Sequence, residues 1–252
     1  MRRIPVPPGY LDDLNPGDPL TLPAEQAHYL RDVLRARPED RVELFDGRGV
    51  CAYGQVLSVD EELRLRIRRV EKVEKGESPL AITLFQAIPK GKRWEWILEK
   101  ATELGVQRIV PLQTDRTVVQ VPDERIPGKM KRWKKILTSA ARQCGRSRVP
   151  ELSRPLSMSD ARESCEVDID LVAHPGPGAR LPSSILNQSE LDISTVGLWI
   201  GPEGGFEDRE IQRLKTFGAR PISLGPRILR ADTAGITALT LLQSAAGDLA
   251  DQ

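Results

Sequence analysis

The stretch VGLWIGPEGGF (196–206) decides the reading of this chain. Val196 to Ile200 run without a polar side chain and end at Gly201-Pro202-Glu203-Gly204-Gly205. An apolar run closed by turn residues fits a buried strand of a parallel sheet. Ile211, Leu214 and Phe217 follow at helix spacing, and Gly218 fits a C-terminal cap. Strand, glycine-rich loop and helix form the unit of an α/β sheet, and ligands of such sheets lie beyond the carboxyl ends of the strands.

A second stretch, ISLGPRILRADTAG (222–235), repeats the pattern before ITALTLLQSAAG (236–247). Neither loop carries the GxxxxGK signature of a phosphate loop, nor the GxGxxG spacing of a dinucleotide fold. Glycines permit close approach of backbone to a ligand. Main-chain N–H and C=O groups can bind an adenine edge or an amino-acid end without a side-chain charge. A cationic ligand tolerates Glu203 nearby. S-adenosylmethionine meets all three conditions; a tight turn with no ligand is the alternative for either loop alone. The last helix, from about Thr233 to Ala246, is apolar nearly all round, which fits a core helix or a dimer seam.

Upstream, LAITLFQAI (80–88), RIVPLQ (108–113), DIDLVAHP (168–175) and RPISLG (220–225) read as further strands. In RWEWILEKATELGV (93–106), Trp94, Ile97, Leu98, Ala101 and Leu104 recur at helix spacing before Gly105. Residues 74–252 therefore read as one α/β domain with a mostly parallel sheet. Residues 1–73 differ. A short helix in 20–35 places Leu30, Val33 and Leu34 on one side, and three strand-like runs cover 40–47, 49–59 and 63–73. Leu63, Leu65 and Ile67 alternate with Arg64, Arg66 and Arg68, so one face is buried and the other carries arginine. This part is a small β-rich domain, joined to the next by the polar segment EKGESP (74–79).

The 252 residues carry 37 Lys and Arg against 36 Asp and Glu, so net charge alone points to no partner. Its distribution does. From Arg125 to Arg154 there are ten cations and one acid, Glu151. Met130, Trp133, Ile136, Leu137 and Ala140 mark the buried stripe of a helix whose other faces carry Lys131, Arg132, Lys134 and Lys135. PKGKRW (89–94) adds cations at the carboxyl end of the first α/β strand. An unbalanced basic surface in a neutral chain points to an anionic polymer, RNA foremost. No apolar run is long enough for a membrane helix, and the N-terminus lacks the apolar core of a signal peptide. Three cysteines far apart and no CxxC argue for a reducing, cytoplasmic setting and against a zinc site.

KGKRWEWILEKATELGV, RQCGRSRVPEL, GPEGGF and LGPRILRADTAG occur in this order. Together they resemble the RsmE family, ribosomal RNA uridine-N3 methyltransferases of the SPOUT class, over essentially the whole chain. The resemblance implies a SPOUT-type α/β domain with a trefoil knot, preceded by a small β-barrel PUA-like RNA-binding domain. It implies S-adenosylmethionine as cofactor, a homodimer, no metal, and one uridine of the small-subunit ribosomal RNA as substrate. Carried over by residue, the cofactor loops are Gly201, Pro202, Glu203, Gly204 and Gly205, then Leu224, Gly225, Arg227, Ile228, Leu229 and Arg230. Asp232 stands where the family commonly has glutamate, one methylene longer.

Uridine N3 is a poor nucleophile until its proton leaves. Arg230 is the candidate for stabilising the resulting anion; Asp232 or Glu203 is the candidate base, with helix capping as the structural alternative for Glu203. RNA contacts are expected from Arg2, Arg3, Lys90, Lys92, Arg93, Gln143, Arg146 and Arg148. The competing readings are a non-catalytic RNA-binding or ribosome-assembly factor, and a SPOUT methyltransferase acting at another RNA position.

Overall fold

The computed structural model describes residues 1–60, 62–119, 121–187 and 192–250. Two compact units form: residues 1–77 with 141–149, and residues 78–140 with 150–252. The first therefore runs past the 73/74 junction expected from composition and takes in a distant second segment.

In the first unit, β1 (Arg2–Pro5), β2 (Pro19–Thr21), α1 (Ala24–His28), β3 (Arg41–Phe45), β4 (Val50–Val59) and β5 (Leu63–Lys72) build a five-stranded sheet of order β1-β3-β4-β5-β2. Only β1 and β3 pair in parallel. Leu63, Leu65 and Ile67 are fully buried while Arg64, Arg66 and Arg68 face solvent, as period-two alternation requires. The helix expected in 20–35 is shorter and changes type: Tyr29–Val33 forms a π-turn, closed by the Leu34 N–H on the Tyr29 carbonyl at 3.0 Å. The wider winding rotates Val33 outward, where it is 57% exposed, while Leu30 stays buried.

The segment 141–149 is stitched into this unit by its backbone. The Ser147 N–H donates to the Lys75 carbonyl (2.9 Å) and the Val149 N–H to that of Gly47 (3.0 Å). Arg3 donates to the carbonyls of Ala141 (2.7 Å), Arg142 (3.4 Å) and Arg146, and pairs with the buried Glu43.

The second unit contains β6 (Ala81–Ala87), α2 (Arg93–Glu103), β7 (Arg108–Gln113), α3 (Ile126–Cys144, whose last turn belongs to the first unit), β8 (Glu151–Leu152), β9 (Leu156–Ser157), α4 (Met158–Glu163), β10 (Ile169–Ala173), α5 (Pro182–Leu186), β11 (Thr195–Ile200), α6 (Asp208–Thr216), β12 (Arg220–Ile222) and α7 (Ala231–Ala246). Its seven strands all pair in parallel, in the order β12-β10-β11-β6-β7-β8 with β9 also on β7. The chain builds outward from β6 on one side and then returns to the other, so the strand order reverses between β6 and β11. Such a switch point opens a crevice at the carboxyl ends of the strands.

Phe85 of β6 stacks on Trp199 of β11 at 4.0 Å between ring centroids. Trp199 donates its indole N–H to the buried Asp170 (2.8 Å), which also pairs with Arg162 (3.0 Å). Burial pushes the Asp170 carboxyl up, and Trp199 and Arg162 pull against it. On α2, Trp94, Ile97, Leu98 and Ala101 are buried; on α3, Trp133, Leu137 and Ala140 are buried and Lys131, Arg132, Lys134 and Lys135 exposed. Phe217, expected on the buried face of α6, caps that helix and is 43% exposed. Helix α7 buries one face, Gly235, Ala238, Leu239 and Leu242, and leaves Ile236 and Leu241 partly exposed. Gly235 leaves room for the Gln86 side chain of β6: a Cβ would lie 2.7 Å from its Oε1, and the amide would have to shift.

Candidate active site

The two glycine-rich loops converge, with the end of β10, on one cavity of about 440 Å3. Gly201–Phe206 follow β11, and Leu224, Gly225 and Arg227–Leu229 follow β12. Ala231 and Ala234 of α7 close one side. The glycines answer to geometry. A Cβ on Gly201 would press on the Phe206 nitrogen at 3.1 Å and the Gly205 carbonyl carbon at 3.2 Å, so any larger residue there requires the loop backbone to shift. Gly205 and Gly225 have φ of +69° and +100°, which glycine alone adopts without strain, and the space before each is open. Main-chain groups can therefore meet a ligand directly.

Two charged side chains at the cavity, Arg116 and Glu203, are engaged within the protein. Arg116, from the loop after β7, donates to the Gly204 carbonyl (2.6 Å) and to both oxygens of Glu207 (2.7 and 3.0 Å). The Glu207 hydrogen bond holds its guanidinium above the ordinary value. Glu203 does not cap α6. That task belongs to Glu207, in a reciprocal capping box with Glu210. Instead Glu203 Oε1 accepts from the Lys90 N–H (3.1 Å) and from Arg93 (3.2 Å). Asp232 lies 3.7 Å from the Arg93 Nε, and its other oxygen accepts from the Thr233 N–H at 2.9 Å.

Of the expected cofactor residues, Gly201–Gly205, Leu224, Gly225, Arg227, Ile228 and Leu229 line the cavity. Arg230 stands beside the lining as the residue that caps α7, with an exposed side chain that pairs with no carboxylate among the described residues. Arg116 and His174 line the cavity without having been singled out in the sequence. The signal available for both was position, since each follows the carboxyl end of a strand.

The expected RNA contacts divide. Lys90, Lys92, Gln143 and Arg148 are exposed. Arg2 is half-buried and pairs with Asp40 at 2.7 Å. Arg3 and Arg146 have internal partners: Arg146 is 3% exposed with its guanidinium on Glu77 at 2.7 Å, and Arg3 holds carbonyls. Arg93 is likewise turned to Glu203 and Asp232. Among the described residues no three His, Cys, Asp or Glu side chains converge as for a metal, and no helix is long and apolar enough to cross a membrane.

Comparison with known proteins places this arrangement. Residues 76–243 match the RNA methyltransferase domain family, and residues 22–65 the RNA methyltransferase PUA domain. The chain is 33% identical to the ribosomal RNA small subunit methyltransferase E of Buchnera aphidicola, covering 98% of this chain and 97% of that protein. It is 35% identical to the Synechocystis protein of the same name over 89% and 73%. Two solved structures superpose with a TM-score of 0.86. One is a Legionella pneumophila methyltransferase in complex with S-adenosylmethionine (38% identity; 98% of each chain). The other is a Neisseria gonorrhoeae ribosomal RNA small subunit methyltransferase E bound to the same cofactor (29% identity; 99% and 100%). A PUA domain followed by a parallel-sheet methyltransferase domain, matched along nearly its whole length, makes this chain a member of the ribosomal RNA small subunit methyltransferase E family.

Proposed function

We propose that this protein transfers a methyl group from S-adenosylmethionine to N3 of a uridine in the small-subunit ribosomal RNA. The observation that carries the reading is the cavity at the strand ends, walled by two glycine loops whose glycines leave main-chain groups open to a ligand. Its volume of about 440 Å3 suits a small-molecule cofactor. Its lining carries Glu203 and Asp208 beside Arg116 and Arg227, which suits a ligand bearing both signs of charge, and the absence of a phosphate motif disfavours a nucleotide.

When bound, S-adenosylmethionine supplies a methyl group on an electron-poor sulfonium. The loops Gly201–Gly205 and Leu224–Leu229 hold it through main-chain groups and orient it, which supplies much of the rate in an in-line transfer. Arg230, exposed beside the cavity, stabilises charge on uracil O2 or O4 once N3 loses its proton. Asp232 is the carboxylate on that same first turn of α7 and the candidate to hold the proton. The exposed cations of α3 and of Lys90 and Lys92 attract the phosphate backbone. The reading carries the trefoil knot and the homodimer of the family. Ile228, 97% exposed on the cavity rim, is an apolar group that a second copy would cover.

The test is incubation with labelled S-adenosylmethionine and small ribosomal subunits lacking the modification, followed by digestion and identification of the nucleoside. Labelled 3-methyluridine is expected. A different labelled nucleoside overturns the target atom. No label from folded, RNA-binding protein leaves the non-catalytic factor.

A further inference from the structure

Arg93 is the first residue of α2, just after the turn from β6, at the reversal of strand order. Its Nη1 meets Glu203 Oε1 at 3.2 Å, and its Nε lies 3.7 Å from Asp232 Oδ2. The Lys90 N–H donates to the same Glu203 oxygen at 3.1 Å. One guanidinium thus links the start of α2, the loop after β11 and the first turn of α7. These elements are brought together only by the fold, and two of them wall the cavity.

We propose that Arg93 is a positioning residue of the methyl-donor site, and that Glu203 is its strut rather than the base. This rests on the reading of the cavity as the place of S-adenosylmethionine. Glu203 stands in the turn closed by the Gly205 N–H on the Pro202 carbonyl at 2.8 Å, and its side chain ties that turn to the start of α2. Arg116 fixes its opposite side through the Gly204 carbonyl. Without the Arg93–Glu203 tie, the loop pays more conformational entropy on closing around the cofactor. Glu203 is engaged by two hydrogen bonds from β6–α2, whereas Asp232 meets Arg93 only as a loose ion pair. The division of the two carboxylates follows: Glu203 shapes the loop, and Asp232, held less tightly, remains the candidate to take the proton.

The test is calorimetric titration of S-adenosylmethionine into wild type, Arg93→Lys, Arg93→Gln, Glu203→Gln and the double variant, with turnover at saturating cofactor and RNA affinity in parallel. Thermal unfolding verifies that each is folded, and Glu203→Gln keeps the test open should Arg93→Gln unfold. Arg93→Gln and Glu203→Gln are each expected to weaken cofactor binding about tenfold, and the double variant by no more than the worse single, the mark of coupled residues. Arg93→Lys recovers part of the loss. Glu203→Gln keeps kcat within about threefold of wild type at saturating cofactor, because a strut moves KM and a base moves kcat. Additive losses overturn the proposal, as does a Glu203→Gln variant whose kcat collapses with cofactor affinity intact. An Arg93→Gln variant that loses RNA affinity alone returns Arg93 to the phosphate contacts. If wild type itself binds no S-adenosylmethionine, the donor-site reading falls and this one with it.

Discussion

The Arg3 guanidinium donates to the main-chain carbonyl of Ala141 at 2.7 Å, across 138 positions of sequence. The same side chain reaches the carbonyls of Arg142 and Arg146, pairs with Glu43 and lies 3.9 Å over the Phe45 ring. It is 10% exposed and Glu43 is 4%. Truncation leaves a buried carboxylate and several carbonyls without their donor. Arg3→Ala should therefore cost about 2–4 kcal/mol in urea unfolding. Arg3→Lys should recover little, because an ammonium lacks the planar fork. A stability unchanged by Arg3→Ala would return this residue to the RNA contacts.

Arg230 should separate chemistry from binding. Its side chain is exposed and stands outside the cavity lining. Arg230→Ala should abolish methyl transfer while cofactor affinity stays within a few-fold. Turnover equal to wild type would remove it from the mechanism.

The cations of α3 should be read by salt. Lys131 and Lys134 are exposed on a helix whose buried stripe is Trp133, Leu137 and Ala140. Replacing both by glutamine should weaken RNA binding and lower the slope of log K against log salt by about 0.7–0.9 per lost phosphate contact. An unaltered slope would make α3 an ordinary solvated face.

Gly201→Ala tests the cofactor turn. The added Cβ meets backbone at 3.1 and 3.2 Å, atoms that move only if the loop moves. Cofactor affinity should drop at least tenfold, and the loss should survive in protein that still unfolds cooperatively. An affinity within twofold of wild type would show that the loop tolerates the shift.

Asp168 gives a pH dependence of stability. It accepts the Ser194 and Thr195 N–H groups at 2.9 and 2.8 Å, and these bonds, the Ser194 one foremost, hold its carboxyl below the usual range. A carboxyl lowered by folding stabilises above its unfolded value, and the contribution is lost as pH falls through the folded value. Asp168→Asn should be less stable than wild type at neutral pH, and the gap should close under acid. A gap independent of pH would mean that the carboxylate charge contributes nothing.

Much was legible in the sequence because it is encoded locally. The alternation of Leu63, Leu65 and Ile67 with arginine fixes which face of β5 is buried, since a strand has period two. The stripe Trp94, Ile97, Leu98 and Ala101 fixes the buried face of α2 in the same way. The two glycine loops could be placed at strand ends, and so at a cavity, because glycine is demanded by backbone conformation alone. Tertiary structure decided what each charge is for. Arg3, Arg146 and Arg93 look in the sequence like the exposed Lys90 and Lys92 beside a basic surface. Burial and distant partners turn the first two into carbonyl and carboxylate anchors, and Arg93 into a link between two acids far away in the chain. A side-chain charge acts on whatever lies within a few ångströms, and which groups those are is set by the fold rather than by neighbours in sequence. Arg116 carries no mark in the sequence for the same reason: its partners, Gly204 and Glu207, lie some ninety positions away, so only the folded chain joins them at the cavity wall.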